Sequence, residues 1–209
     1  MSILLVGSGG HARVSAEVLA ALGWEVAGCL NRDGDPRTQL GVPVLGPDSE
    51  LERRIADGCP DVFVAVGDNR SRLALGQRVL AAGGRLVTAV SPHSVVSPSA
   101  EVGRGVLVMP GAVVNAGSVV GDLAIINTNA TVDHDCTLGE AVHIAPAAAL
   151  AGGVRVGRLA LVGVGAAVVP GIAIGESAIV GAGAAVVRDV PASTTVVGVP
   201  ARTRGSNPQ

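Results

Sequence analysis

Two hydrophobic rhythms run along the 209-residue chain and meet near residue 90. In the first part, short apolar runs alternate with stretches whose apolar residues recur every three to four positions. "ILLV" leads into "GSGGH", and "ARVSAEVLAAL" then carries apolar residues at helical spacing. "EVAGCL" predicts a second strand, "SELERRIA" a short helix, and "DVFVAVG" a buried strand. "RSRLALGQRVLAAG" predicts an amphipathic helix and "LVTAV" a last strand. Strands alternating with helices imply a small parallel sheet of Rossmann type.

"SPHSVVSPSA" marks the boundary, with four serines and two prolines in ten residues. Beyond it the period becomes six. From Val96, Val102 and Val108 through to Ile174, Val180 and Val186, sixteen consecutive sixth positions hold Val, Ile or Leu. The residue four places later is small or aliphatic, as in Ala100, Val106, Ala112, Ser118 and Cys136. A period of six fits neither a helix nor a simple strand. It is the signature of a hexapeptide β-helix, in which three repeats make a triangular coil and coils stack about 4.8 Å apart. The expected fold is an α/β Rossmann-like domain over residues 1–90, followed by an all-β parallel β-helix, a hexapeptide-repeat solenoid, over residues 91–209 with a C-terminal tail; its left hand is what the family resemblance given below implies.

Composition adjusts this picture in a few places. The 30 glycines are about twice the usual share of roughly 7%, as a chain with many tight corners requires. All 15 basic residues are arginines, which excludes a Schiff-base or P-loop lysine. The net charge of −2 offers no basic field for nucleic acid. No run approaches 18 apolar residues and no signal segment opens the chain, so no membrane association is expected. Three cysteines, Cys29, Cys59 and Cys136, show no C-x-x-C spacing. These features predict a soluble, reduced, cytoplasmic protein.

The whole pattern, with "GSGGHARV", "AVGDNRSR", "INTNATVDHDC" and the closing "VVGVPAR", resembles the left-handed β-helix sugar acetyltransferases. Within them it is similar to the nucleotide-sugar N-acetyltransferase group, and most of all to the GDP-perosamine N-acetyltransferase type. The resemblance implies a homotrimer with acetyl-CoA bound between neighbouring β-helices. It implies acetylation of the 4-amino group of a nucleotide-linked 4-amino-4,6-dideoxy sugar, for surface polysaccharide or glycan biosynthesis. O-acetylation of sialic acid or a related sugar is the alternative reaction, and a non-catalytic trimeric scaffold is a third reading.

Polar chemistry is densest in "INTNATVDHDCTLGEAVHIAP". His134 falls at a position where repeats turn outward, either as a solvated corner residue or as a general base working near its own pKa. The resemblance assigns the base to His134 and the support of its basicity to Asp135, with Asp133 at the acceptor. Eighteen residues on, Gly152 shares the same corner. It is either a tight turn or a backbone N–H donor to a thioester oxygen, the role the resemblance implies. His143 lies half a coil from His134 and cannot share its corner, so a site using both draws on adjacent subunits. That separation also argues against a metal site, and none is expected. Cys136 points inward as a buried structural thiol.

The resemblance further carries His143, Val164 and Ala182 to cofactor-contacting positions, with Gly152, and Asn127 to a sugar contact. "GSGGH" follows a strand and opens a helix, which suits a phosphate. It lacks the full G-x-G-x-x-G pattern, so NAD is poorly supported. The resemblance instead implies that Gly9, Gly10 and His11 hold the acceptor's nucleotide, with Asp68 and Asn69 lining the same pocket. Asn31 and Arg32 replace two acids found in relatives that use UDP-sugars, which weakens a UDP assignment. The arginines of the tail are candidates for CoA phosphates.

Overall fold

The computed structural model describes residues 2–37 and 40–204, and it divides into two compact units. The first comprises the chain up to Pro92 together with Arg104–Leu107, and the second His93–Gly103 with the chain from Val108.

The first unit is a parallel sheet of strands β1 (Ser2–Val6), β2 (Glu25–Asn31), β3 (Val44–Pro47), β4 (Asp61–Val64) and β5 (Arg85–Leu86), in the order β3-β2-β1-β4-β5. Central β1 is buried from Ile3 to Val6, as a near-continuous apolar run in a covered parallel sheet must be. Helices α1 (Gly10–Ala21), α2 (Leu51–Ala56) and α3 (Asn69–Ala81) connect the strands. On α1, Ala12, Ser15, Val18 and Leu19 are buried, one stripe at helical spacing. Two details depart from the sequence expectation. The strand β3 is additional, and "LVTAV" splits into Arg85–Leu86 and a separate Ala89–Val90 strand. The strand order reverses between β1 and β4, so a crevice opens beyond their carboxyl ends, where open α/β sheets bind ligands.

The second unit is a left-handed β-helix of two-residue strands. All sixteen predicted hexapeptide positions are the second residue of such a strand, from Val95–Val96 to Ala185–Val186. Strands pair in parallel at a spacing of eighteen residues: Val114 with Val132, Val132 with Leu150, Leu150 with Val168. The aliphatic ladders from Val108 to Val186 are buried, and the small residues between them, such as Ala112, Ala130, Ala148 and Ala166, are fully enclosed. Each fully buried aliphatic contributes roughly 1.5–3 kcal/mol, so the ladders and not aromatic residues stabilise the prism.

The coils turn at three edges, each a vertical column of backbone hydrogen bonds. One column contains Ala116, His134 and Gly152, linked by Asp135 N–H to Ala116 O at 3.0 Å and Gly153 N–H to His134 O at 2.9 Å. The column of Thr128, Pro146, Val164 and Ala182 is a different edge, as is that of Asp122, Glu140 and Arg158.

Candidate active site

The chain turns at Asp133–Cys136 because Asp135 adopts the left-handed conformation, φ +57°. Aspartate tolerates that region better than most non-glycine residues. The turn brings the Asp135 carboxylate back to its neighbour, where Oδ2 lies 2.9 Å from His134 Nδ1. Asp133 Oδ1 accepts the His134 backbone N–H at 2.8 Å and the Asn115 Nδ2–H of the preceding coil at 2.9 Å. Those hydrogen bonds hold the Asp133 carboxyl below its ordinary range. The Asp135 hydrogen bond, reinforced by the Asp133 charge, raises the His134 pKa above the ordinary 6.5.

With Nδ1–H given to Asp135, Nε2 carries the lone pair. That face of the ring lies over Gly152: a β-carbon there would stand 2.5 Å from Nε2. Only glycine leaves room for the ring in this position. In the coil before, the equivalent N–H (His134) is taken by Asp133, and at Thr128 by Asn127 Oδ1 at 2.8 Å. Ala151 precedes Gly152 and offers no side-chain acceptor, and among the described residues the Gly152 N–H makes no backbone hydrogen bond. A base lone pair and a backbone donor thus stand side by side on one exposed edge, where His134 keeps 63% of its side chain accessible. Cys136 is fully buried and its thiol meets Ala151 O at 3.3 Å, with the pKa raised by burial. It is a packing residue.

A second cluster occupies the edge that carries Val164. His143 pairs in register with Ile125, and its Nε2 lies 3.0 Å from Asn127 Nδ2. The Asn127 oxygen is taken by the Thr128 N–H, so the amide presents its N–H to His143 and Nε2 accepts. Val164, half exposed, and Ala182 stack on the same edge one coil apart, joined by Gly183 N–H to Val164 O at 2.8 Å. The sequence-predicted residues therefore sort into two groups. His134, Asp133, Asp135 and Gly152 share one edge; Asn127, Val164 and Ala182 share another, with His143 on the strand that leads to it. One chain does not bring the groups together.

The first unit holds a cleft of about 680 Å³ at the switch point between β1 and β4. Gly7, Ser8, Gly9, Gly10 and His11 form one wall, Asn31 and Arg32 another. Gly7 has φ +121°, and a β-carbon there would meet Ala65 O at 2.6 Å, so the loop needs glycine to pass β4. Gly9 is the N-cap of α1, which directs the helix N-terminus at the cleft. Burial, with Arg72 nearby, lowers the His11 pKa to about 4, leaving a neutral imidazole.

Asp68 and Asn69 are not among the residues that line this cleft. Asp68 is the N-cap of α3, accepting the Ser71 N–H at 2.8 Å, and Asn69 receives Arg72 Nη2 at 2.7 Å. Both side chains brace the loop, and Gly67, Ser71 and Arg78 form the wall in their place. Asn31 lines the cleft but also closes its own turn, to Gly34 N–H at 2.7 Å and Asp35 O at 2.8 Å. Asp48 is a cleft residue that sequence reasoning misses. Its Oδ1 is buried without a hydrogen bond and burial raises its pKa, beside the charges of Arg78 and Arg32. Nothing in the sequence pairs "GPDSE" with the glycine loop, because the half-buried strand before it has no clear apolar pattern. In the tail, Arg202 and Arg204 are exposed, while residues from 205 on lie outside the described residues. None of the described helices is long and apolar enough to cross a membrane.

Residues 2–79 match the family described as the PglD N-terminal domain. The chain is 38% identical over 116 residues to UDP-N-acetylbacillosamine N-acetyltransferase of Bacillus subtilis (strain 168), a match spanning 52% of this chain and 51% of that enzyme. Over nearly its full length it is similar to PerB of Caulobacter crescentus, solved with CoA and GDP-perosamine. The identity is 52%, the TM-score 0.94, and 98% of each chain is covered. The acetyltransferase domain of PglB from Neisseria gonorrhoeae FA1090, solved with acetyl coenzyme A, is 41% identical. It aligns with a TM-score of 0.88 over 97% of this chain and 98% of that one. Hexapeptide solenoid, glycine-loop cleft and full-length similarity together place the chain in one family: it belongs to the left-handed β-helix nucleotide-sugar N-acetyltransferases, acetyl-CoA-dependent acyltransferases.

Proposed function

We propose that the protein transfers the acetyl group of acetyl-CoA to the 4-amino group of a GDP-linked 4-amino-4,6-dideoxy sugar of the perosamine type. The observation that carries this reading is His134 Nε2 lying over Gly152 while Nδ1 is held by Asp135. The GDP assignment is supported by PerB, which holds GDP-perosamine and is 52% identical. Asn31 and Arg32 at the cleft wall agree with it.

The reaction is a direct attack. The sugar amine nitrogen forms a bond to the thioester carbonyl carbon, and His134 Nε2 takes the amine proton. Charge develops on the carbonyl oxygen, where the Gly152 N–H donates to it. The C–S bond then breaks and the imidazolium returns its proton to the CoA sulfur. Asp135 orients the ring and stabilises its charged form, while the Asp133 carboxylate lies on the acceptor side. His143, Val164, Ala182 and Gly152 contact the cofactor, Asn127 the sugar, and Gly9, Gly10, His11, Asn31 and Arg32 the nucleotide. Because His134 stands on one edge and His143 on the strand that leads to another, a complete site is formed by two subunits of a homotrimer. The reading places the enzyme in the cytoplasm, supplying a sugar for surface polysaccharide.

The test is thiol release from acetyl-CoA against GDP-perosamine, UDP- and dTDP-linked 4-amino sugars and free sialic acid. The expected result is the highest kcat/KM with GDP-perosamine. Absence of turnover with every amino sugar, or turnover of sialic acid alone, overturns the proposal.

A further inference from the structure

In many coil turns the fifth residue closes the turn by donating its N–H to the carbonyl three residues earlier. Ala130 does so to Asn127 O at 2.9 Å and Ala148 to Ala145 O at 3.1 Å. Among the described residues the turn that carries His134 lacks this bond, as do the next two turns on its edge, at Val154 and Ile172. Ser118 of the preceding coil donates its hydroxyl to Asp133 O at 2.7 Å, and the Ser118 Oγ in turn accepts the Cys136 N–H at 3.1 Å. One hydroxyl is therefore wedged between the two backbone groups that would close the turn. Ser118 is fully buried, at an inward position that other repeats give to alanine, valine, isoleucine or cysteine. A hydroxyl in an aliphatic prism is costly unless both its roles are satisfied, and here both are satisfied by the Asp133–Cys136 turn.

The fastening extends beyond this contact. Asn115, three residues before Ser118, holds Asp133 Oδ1 at 2.9 Å, and Asp135 N–H reaches Ala116 O at 3.0 Å. Gly117 lies beneath Asp135, where a β-carbon would meet Oδ1 at 2.7 Å. The turn "NAGS" is thus a platform for the turn "DHDC" one coil on.

We infer that Ser118 is a positioning residue: its wedged hydroxyl holds the Asp133–Cys136 turn open so that Asp135 reaches His134 Nδ1 and the imidazole rests over Gly152. The inference deepens the proposed function and rests on His134 as base. Without the hydroxyl, Asp133 O and Cys136 N–H lose the partner they share, and residues 134 and 135 between them are free to shift. Misplacement of a reacting group by about 1 Å can cost roughly a hundredfold in rate.

An isosteric pair isolates the hydroxyl. Ser118→Thr keeps it and adds a methyl where other repeats carry Val106, Val142 or Val154. Ser118→Val has the same shape without the oxygen. Two readouts apply: steady-state kinetics with acetyl-CoA and GDP-perosamine, and imidazole titration by NMR, tractable with only 4 histidines and assigned with His134→Asn. The charged groups facing His134 are Asp133 and Asp135; Asn115, Ser118, Gly152 and Gly153 around them are uncharged.

For Ser118→Val the expected result is kcat lowered about tenfold or more, with the KM for acetyl-CoA within about twofold. The His134 midpoint falls toward the ordinary histidine value, and Ser118→Thr restores both readouts. Equal kinetics and equal His134 midpoints in wild type, Thr and Val variants overturn the inference. So does a Val variant whose losses are not restored by Thr. If His134→Ala retains activity, the base assignment fails instead, and the titration arm still decides whether Ser118 controls the imidazole.

Discussion

The imidazole of His134 rests on Gly152, one complete coil along the same edge, so closely that a β-carbon at 152 would overlap Nε2 and Cε1 at 2.5 Å. Gly152→Ala therefore forces the ring away while leaving the backbone N–H in place. The substitution is expected to lower kcat/KM roughly a hundredfold through misplacement of the base. The thermal midpoint should stay within a few degrees, because the ring is free to swing into solvent. Kinetics paired with thermal unfolding checks this, and a fully active alanine variant would show that the contact is incidental.

The pH profile follows from the same histidine. Its pKa is raised, chiefly by the Asp135 hydrogen bond and then by the Asp133 charge, so a larger fraction is protonated at any given pH. The base form is lost as pH falls through that raised value. The acid limb of kcat/KM should therefore lie above 6.5, with activity rising on the alkaline side. Asp135→Asn removes the main cause, moving the limb to lower pH while reducing the plateau. A limb that stays put in this variant would assign it to another group.

His11 supplies a stability prediction with a different sign. Burial lowers its folded-state pKa to about 4, against 6.5 when exposed. Between these values the unfolded chain binds the extra proton, so stability is full above pH 6.5 and declines as pH falls toward 4. Thermal midpoints recorded across roughly pH 7.5 to 4.5 should decline less steeply in His11→Gln than in the wild type. The slope is the readout, since the substitution also changes packing.

Much of this is legible in the sequence, for physical reasons that differ by element. A solenoid repeats one local rule, so sixteen six-residue repeats suffice to place Cys136 inside, His134 outside and Gly152 beneath it. The Rossmann strands are visible because they are short continuous apolar runs. Asp68 and Asn69 are harder to read, because helix capping and loop bracing use the same residue types as ligand binding. Ser118 fits the small-residue position by size, and only its hydroxyl, invisible to a volume pattern, sets it apart. Arg72 buried behind the cleft gives no signal, since exposure of a helical arginine depends on what packs over it.

The two-edge division of site residues makes the strongest demand on assembly. His134→Ala removes the base edge of a chain, while Val164→Arg obstructs the edge that carries Ala182. If each site takes one edge from each of two neighbouring subunits, both variants are inactive alone. In a cyclic trimer reassembled from an equal mixture, one subunit in two has an intact first edge and one in two an intact second edge. About a quarter of the interfaces in the whole mixture are then wild type, and one in three in every mixed trimer, so about a third of the activity should return in the purified mixed species. Co-expression with two different tags, purification of the mixed species and a thiol-release assay measure this. A site contained in one chain would instead give no recovery at any mixing ratio, since every chain would carry a damaged site of its own.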